Sequence, residues 1–423
     1  MLSPDAEMID RRILQEAATL QRAGHRVTIL SGFACEHPDA SETGEGVVVK
    51  RYVYDWVDRR RVRDWPWLPL VAWQAVRMLY RFADTPEPLD LFILEKALEH
   101  GFDVVHAHDF PVLRAAVLAA RERDVPVVYD THEFYPVQSV LPKRVQRRYL
   151  ALERRLMREC RQVITVNPYL ARMMARVHGV PEPLVLLNAA PLPDGDTDDA
   201  ALVRAIPGAL QQKRSEAGLP GDRFLFLFQG WLSRERNLMA MLEAMPSVDP
   251  RAHLVVVGYG AYLDDMRAAA RRLGIERRVT YTGRVENDAL RRITPLADVG
   301  LIPYAAVDEM HRYCSPNKLY EFIVAGLPII ANDLPYLRDV VAGYGLGWLG
   351  AIESPEVLAA LMNEAMRDRA ELEAKRANAL SARERINWAA EGAKLVALYD
   401  QIEQERRVRR TLGAPIAAAG RQA

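Results

Sequence analysis

At 423 residues the chain is too long for one ordinary core and suits two domains of roughly 200 residues each. Half of the residues are hydrophobic, and 56 basic against 56 acidic side chains leave no net charge to draw a nucleic acid, so none is expected as a partner. Cys35, Cys160 and Cys314 lie far apart without C-x-x-C spacing, which supports neither a disulfide framework nor a zinc site and points to the cytoplasm. No apolar run approaches the roughly 20 residues of a membrane span, and the start has no signal-peptide pattern.

The chain opens Met1-Leu2-Ser3-Pro4-Asp5, with only two apolar residues before the first loop. A parallel α/β domain normally begins on a full buried strand, so the expectation is that its central strand is truncated here and that the native protein extends upstream by on the order of 10 residues. Ile13, Ala17 and Leu20 then recur at helical spacing, Gly24 closes the turn, and Val27 to Leu30 form the first apolar run. Further strands are predicted at Val47–Val53, Val104–Ala107, Val125–Tyr129, Val163–Val166 and Leu184–Leu187. A second series follows at Phe224–Phe228, Leu254–Val257, Val279–Thr282, Val299–Ile302 and Leu327–Ala331. Such alternation predicts an α/β fold of two doubly wound, Rossmann-like domains. The boundaries fall at residues 1–200 and 201–385, with 386–423 holding a last helix near Ile386–Arg407 and an Ala/Gly-rich tail. Proline and glycine interrupt the pattern from Asn188 to Gly221, the predicted linker, so Asp194-Gly195-Asp196-Thr197-Asp198-Asp199 there reads as solvated charge, not as a D-x-D metal site.

The densest chemical signal is Cys314-Ser315-Pro316-Asn317-Lys318-Leu319-Tyr320-Glu321, running on to Gly326-Leu327-Pro328. Ser315 and Pro316 suit the cap and first turn of a helix whose free N–H groups and dipole would face an anion. Lys318 adds a mobile charge, and Glu321 lies where a carboxylate could accept ribose hydroxyls. Upstream, Gln229-Gly230-Trp231-Leu232-Ser233-Arg234-Glu235-Arg236-Asn237 follows the first strand of the second domain, Val257-Gly258-Tyr259-Gly260 the second, and Thr282-Gly283-Arg284-Val285 the third. In the first half, His106-Ala107-His108-Asp109 and Asp130-Thr131-His132-Glu133 end consecutive strands.

Together these segments resemble the signature of retaining GT-B glycosyltransferases, especially the family 4 branch (glycosyl transferases group 1), with its S-P-x-K-x-x-E-[YF], G-x-G, T-G-x-[VL], V-H-x-H-[DE] and D-x-H-E elements. The resemblance implies a central cleft between the two domains and transfer of a sugar, with retention, from a nucleoside diphosphate sugar to a glycan or lipid-linked acceptor in surface polysaccharide biosynthesis. No metal or other cofactor is implied. The implied donor-binding residues are Gly230, Arg236, Gly258, Gly283, Ser315, Pro316, Asn317, Lys318, Leu319 and Glu321. Arg236 and Lys318 would stabilise the departing diphosphate, while His108, as the residue touching the donor sugar, and His132 would line the sugar pocket. One departure stands out: relatives carry an E-x7-E pair, and eight positions before Glu321 stands Tyr313. Two rivals stand beside this reading: a sugar-nucleotide epimerase on the same fold, and a degenerate, scaffold-like member, which Tyr313 and the short first strand keep open. Two basic, aromatic-studded stretches, Arg51–Arg81 and Lys143–Arg161, read either as ordinary amphipathic surface or as peripheral contact with the inner face of an anionic membrane.

Overall fold

The computed structural model describes residues 1–5, 9–31, 39–54, 85–138, 141–193 and 208–412, which fall into two compact units, Met1–Leu187 with Gly392–Ala423, and Asn188–Glu391. The Asp-rich stretch 194–199, most of the Arg51–Arg81 patch, Cys35 and the tail from 413 lie outside the described residues.

In the first unit, β1 (Thr28–Ser31) pairs in parallel with β3 (Val48–Arg51), which β2 (Asp39–Glu42) flanks antiparallel. A second parallel set runs β4 (Val105–His108), β5 (Val127–Thr131), β6 (Gln162–Thr165) and β7 (Leu184–Val185). The expected gap between the two sets is filled, because Leu2 pairs in parallel with both Leu30 and Ala107. Its N–H donates to the His106 carbonyl at 2.8 Å and its carbonyl accepts from His108 N–H at 2.9 Å, while Leu30 N–H donates to the Met1 carbonyl at 2.9 Å. With Ser3 N–H donating to the Leu30 carbonyl at 3.0 Å, three residues satisfy inner ladder groups at the carboxyl ends of β1 and β4. The helix Arg11–Arg22 starts where the Asp10 side chain caps the Arg12 N–H, and it buries Ile13, Ala17 and Leu20 together with Arg12 and Glu16. From Gly392 onward the last helix, Trp388–Leu412, belongs to this unit.

The second unit is one six-stranded parallel sheet, ordered β10 (Val279–Gly283), β9 (Ala252–Val257), β8 (Phe224–Gln229), β11 (Val299–Ile302), β12 (Ile329–Asn332), β13 (Gly347–Gly350). Leu225 to Phe228 and Leu254 to Val257 are buried on both faces, as expected of strands covered by helices above and below. The winding direction reverses between β8 and β11. A crevice forms at the carboxyl ends of strands where such a reversal occurs, and this is where ligands of open α/β sheets collect.

Candidate functional site

At that reversal in the second unit, Gly230 follows β8 with φ +129°, and a Cβ there would lie 3.3 Å from Arg236 Nη1 and 3.5 Å from Lys318 Nζ. The neighbouring loop is locked to it backbone to backbone: Gly230 N–H donates to the Val257 carbonyl at 2.9 Å, Gly258 N–H to the Gly283 carbonyl at 2.9 Å. A Cβ on Gly258 (φ +152°) would come within 1.9 Å of the Gly230 oxygen, so only glycine fits. Arg236 projects from a short turn, Arg234–Arg236, and its guanidinium lies 5.1 Å from the Tyr304 ring centre. Lys318 is 4% exposed, its ammonium 4.2 Å from the Tyr304 ring centre and 4.7 Å from that of Phe228, and it donates to the Tyr304 hydroxyl. Burial, with Arg236 nearby, pushes its pKa well below the usual lysine range. Among the described residues, neither cation has a carboxylate in ion-pairing range. Glu321, half-buried on the helix Asn317–Val324, accepts from the Gln229 amide, and the Gln229 carbonyl accepts from Thr294 Oγ1 at 2.9 Å. Burial also pushes the Cys314 thiol up to about 12, which leaves it protonated and unreactive.

The first unit gathers charge differently. Arg12 grips Asp130 with two hydrogen bonds, Nε to Oδ2 at 2.8 Å and Nη2 to Oδ1 at 3.0 Å, and gives a third to the Leu186 carbonyl at 2.8 Å. Its Nε also lies 3.0 Å from Glu16 Oε1. Although burial opposes ionisation, Arg12 and His132 hold Asp130 well below the usual carboxylate range. His132 Nε2 lies 3.2 Å from Asp130 Oδ2 and its Nδ1 3.4 Å from Asp109 Oδ2, and the two carboxylates outweigh burial to raise the imidazolium pKa to about 10. Its backbone N–H donates to Asp109 Oδ1 at 2.9 Å, and Asp109 itself takes φ 64°, ψ 161° at the start of the following helix. His106 and His108 stack at 4.4 Å, and burial lowers His108 to about 4, hence neutral. Glu16, His106, His108 and Asp130 bring ligand-type atoms within 4.8 Å of one another, and the Arg12 guanidinium already provides a cation among them.

Residues 9–188 match the family model Glycosyltransferase Family 4, and residues 211–384 match Glycosyl transferases group 1. The chain belongs to the GT-B glycosyltransferases. Among curated relatives, the alpha-monoglucosyldiacylglycerol synthase of Streptococcus pneumoniae is 23% identical over 69% of this chain and 65% of its own length. A 2-deoxystreptamine N-acetyl-D-glucosaminyltransferase of Streptomyces fradiae is 29% identical over 56% of each chain. The chain thus spans less than two thirds of the length of these relatives. Anabaena HepE, solved in complex with UDP-glucose, superimposes with a TM-score of 0.68 at 16% identity, covering 95% of this chain and 98% of that one.

Within this glycosyltransferase the residues expected from sequence fall into three groups. Gly230, Arg236, Lys318 and Glu321 converge with Tyr304 at the reversal of the second sheet, and Gly258 and Gly283 hold the adjoining loops. Ser315 is not the helix cap: Pro316 takes that position with no capping side chain, and Ser315 Oγ instead lies 2.7 Å from the Tyr320 hydroxyl. Asn317 opens the helix exposed, whereas Leu319 is wholly buried and its N–H already bonds the Pro316 carbonyl at 2.9 Å. Lys318, expected to be mobile, is clamped between two rings. In the first unit His108, expected to touch the sugar, is fully buried against Asp130, while His132 keeps 13% of its side chain exposed. Sequence reasoning missed Arg12, Glu16, Gln229 and Thr294. The available signal was polarity out of place: Arg12 and Glu16 interrupt the apolar stripe of a helix, and Gln229 closes a run of five apolar strand residues.

Proposed function

We propose that the chain transfers a sugar from a nucleoside diphosphate donor, held by its second unit, to a glycan or lipid-linked acceptor in surface polysaccharide assembly, with retention of configuration. The observation that carries this reading is the convergence of Arg236 and Lys318 on Gly230 with, among the described residues, no carboxylate in ion-pairing range of either. Breaking a glycosyl–phosphate bond builds negative charge on the departing diphosphate, and preorganised cations in a dry site stabilise that charge most effectively. An arriving diphosphate would restore the proton that burial disfavours on Lys318, while the Arg236 fork grips phosphate oxygens. Glu321 would hold the ribose. His132, cationic and partly exposed, would line the sugar pocket with His108 packed behind Asp130. Retention follows if the leaving phosphate itself takes the proton of the acceptor hydroxyl on the same face, which requires no protein nucleophile.

The names of the relatives support a lipid-type acceptor: the pneumococcal synthase is named for a glucosylated diacylglycerol, and the chain is 24% identical over 332 residues to a Mycobacterium tuberculosis phosphatidyl-myo-inositol mannosyltransferase. A further match, WaaG, is described as a glycosyltransferase of lipopolysaccharide biosynthesis. On the helix Lys143–Met157, Leu152, Leu156 and Met157 pack inward while Lys143, Arg144, Arg147, Arg154 and Arg155 stay exposed, a basic face suited to an anionic membrane surface. No helix among the described residues is long and apolar enough to cross a membrane.

A thermal-shift panel of UDP, GDP, ADP and their sugars, run on wild type and Arg236→Ala, tests the donor reading. Stabilisation by one nucleotide, absent in the variant, is the expected result. No response from folded wild-type protein overturns it, and release of an epimerised sugar nucleotide without any acceptor would replace transfer by epimerisation.

A further inference from the structure

Gln229 is the last residue of β8, immediately before the phosphate-facing Gly230, and is 1% exposed at the end of an otherwise apolar strand. A buried amide in that place costs stability unless both of its ends are satisfied. Both are: one end meets Glu321, the other Thr294 Oγ1. Hydrogen-bond bookkeeping settles which end is which. Thr294 Oγ1 has a single proton and two acceptors in reach, Gln229 at 2.9 Å and the Leu290 carbonyl at 2.8 Å. The Leu290 carbonyl accepts the Thr294 backbone N–H and keeps a second lone pair for the hydroxyl, so it is the ionised Glu321 carboxylate, not Thr294, that decides how the amide points. With the amide reversed, its oxygen would face the Glu321 carboxylate, two acceptors with no proton between them. The arrangement that satisfies every group runs from Thr294 hydroxyl to Gln229 oxygen, and from Gln229 N–H to the Glu321 carboxylate.

We infer that Gln229, anchored by Thr294, is a positioning residue that fixes the Glu321 carboxylate for the ribose hydroxyls and so sets a preference for ribonucleotide over deoxyribonucleotide donors. The inference rests on the donor reading above. A neutral amide is suited to the task. It holds one carboxylate oxygen in place without cancelling its charge, as Arg236 or Lys318 would, so the carboxylate remains a strong acceptor for hydroxyl protons. The chain Thr294–Gln229–Glu321 also ties the ribose-holding carboxylate to the strand end that carries the phosphate loop, so the two parts of a nucleotide are read from one rigid element.

The test is calorimetric titration with whichever of UDP, GDP or ADP stabilises the wild type, alongside its 2′-deoxy and 3′-deoxy forms. Wild type is expected to prefer the ribonucleotide by about 10-fold or more, the scale of a hydrogen bond to a charged group. In Gln229→Met that preference should fall to about twofold, because the carboxylate loses its fixed orientation. Thr294→Val, which leaves the amide unanchored, should fall between the two and decides the matter should Gln229→Met not fold. A purely structural role for Gln229 would weaken all three ligands equally. An unchanged ratio in the variants therefore overturns the inference and leaves the donor reading standing, whereas absence of any nucleotide binding by wild type removes both.

Discussion

The two units each concentrate cationic side chains at the carboxyl ends of parallel strands, yet they treat the charge in opposite ways. In the first, Arg12 and His132 are matched by Asp130 and Asp109 at distances of 2.8 to 3.4 Å, while burial and Asp130 push the neighbouring Glu16 carboxyl well above its usual range. In the second, Arg236 and Lys318 approach Gly230 with aromatic rings and a phenol hydroxyl for company. The difference teaches where binding energy is held in reserve. A cluster that neutralises itself adds rigidity and fixes protonation states, while a cluster left without an anion raises the energy of the empty protein and returns that energy when an anion arrives.

Opening the closed cluster should give the largest effect. Arg12→Ala leaves Asp130 buried without its main partner and should cost the first unit about 3–5 kcal/mol, read as a lower midpoint in urea unfolding; a loss under about 1 kcal/mol would mean that the cluster is not electrostatically closed. His132 sharpens the same point through pH. Its folded pKa of about 10 stands above the ordinary 6.5, so the stability it contributes is complete below about pH 6.5 and is lost as pH rises through about 10. His132→Gln should therefore flatten the decline of stability across that window, and the His132 ring signals in an NMR titration should stay those of the cation beyond pH 8.

The open cluster should respond the other way round. Arg236→Ala is expected to melt close to wild type in buffer but to lose the nucleotide-induced stabilisation, about 2.7 kcal/mol at 100 times Kd. Lys318→Met removes an ammonium whose folded pKa is depressed, a group that makes stability rise with pH. The variant should be more stable than wild type at pH 7 by about 1–2 kcal/mol, with the gain vanishing as pH approaches the ordinary lysine pKa of 10.5, while nucleotide binding is abolished. A destabilised Lys318→Met would show that the lysine is matched after all. Smallest of all, Tyr304→Phe keeps both ring contacts and deletes one hydrogen bond, for about 1 kcal/mol in binding and a several-fold higher Kd by titration.

The contrast also explains what could be read from the sequence. Strands announced by continuous Val, Ile, Leu and Phe runs, such as Phe224–Phe228 and Val299–Ile302, appear within a residue or two of where the pattern places them. β2, with sequence Asp-Ala-Ser-Glu, and β13, Gly-Trp-Leu-Gly, escaped because neither carries an apolar run; the first is a polar edge strand and the second takes its place through pairing with β12. The glycine and cation positions of the second unit were legible because their spacing follows one strand end after another. The Arg12–Asp130 pair was not, since 118 residues separate its members and only the folded sheet brings them together. Lys318 could be expected beside a helix start in the second unit, but its immobility depends on Tyr304 and Phe228 from two other strand ends, information that no local pattern contains.

The contact of 1.9 Å that a methyl group on Gly258 would make with the Gly230 carbonyl has a practical use. It makes Gly258→Ala a genetic tool: the Gly230 turn after β8, or the Gly258 turn after β9, would have to shift to relieve the clash. A strain carrying that allele would hold the protein with its Gly230 turn displaced, provided circular dichroism of the purified variant matches the wild type. Any cellular role that persists in such a strain belongs to the protein's presence, and any that disappears belongs to its chemistry.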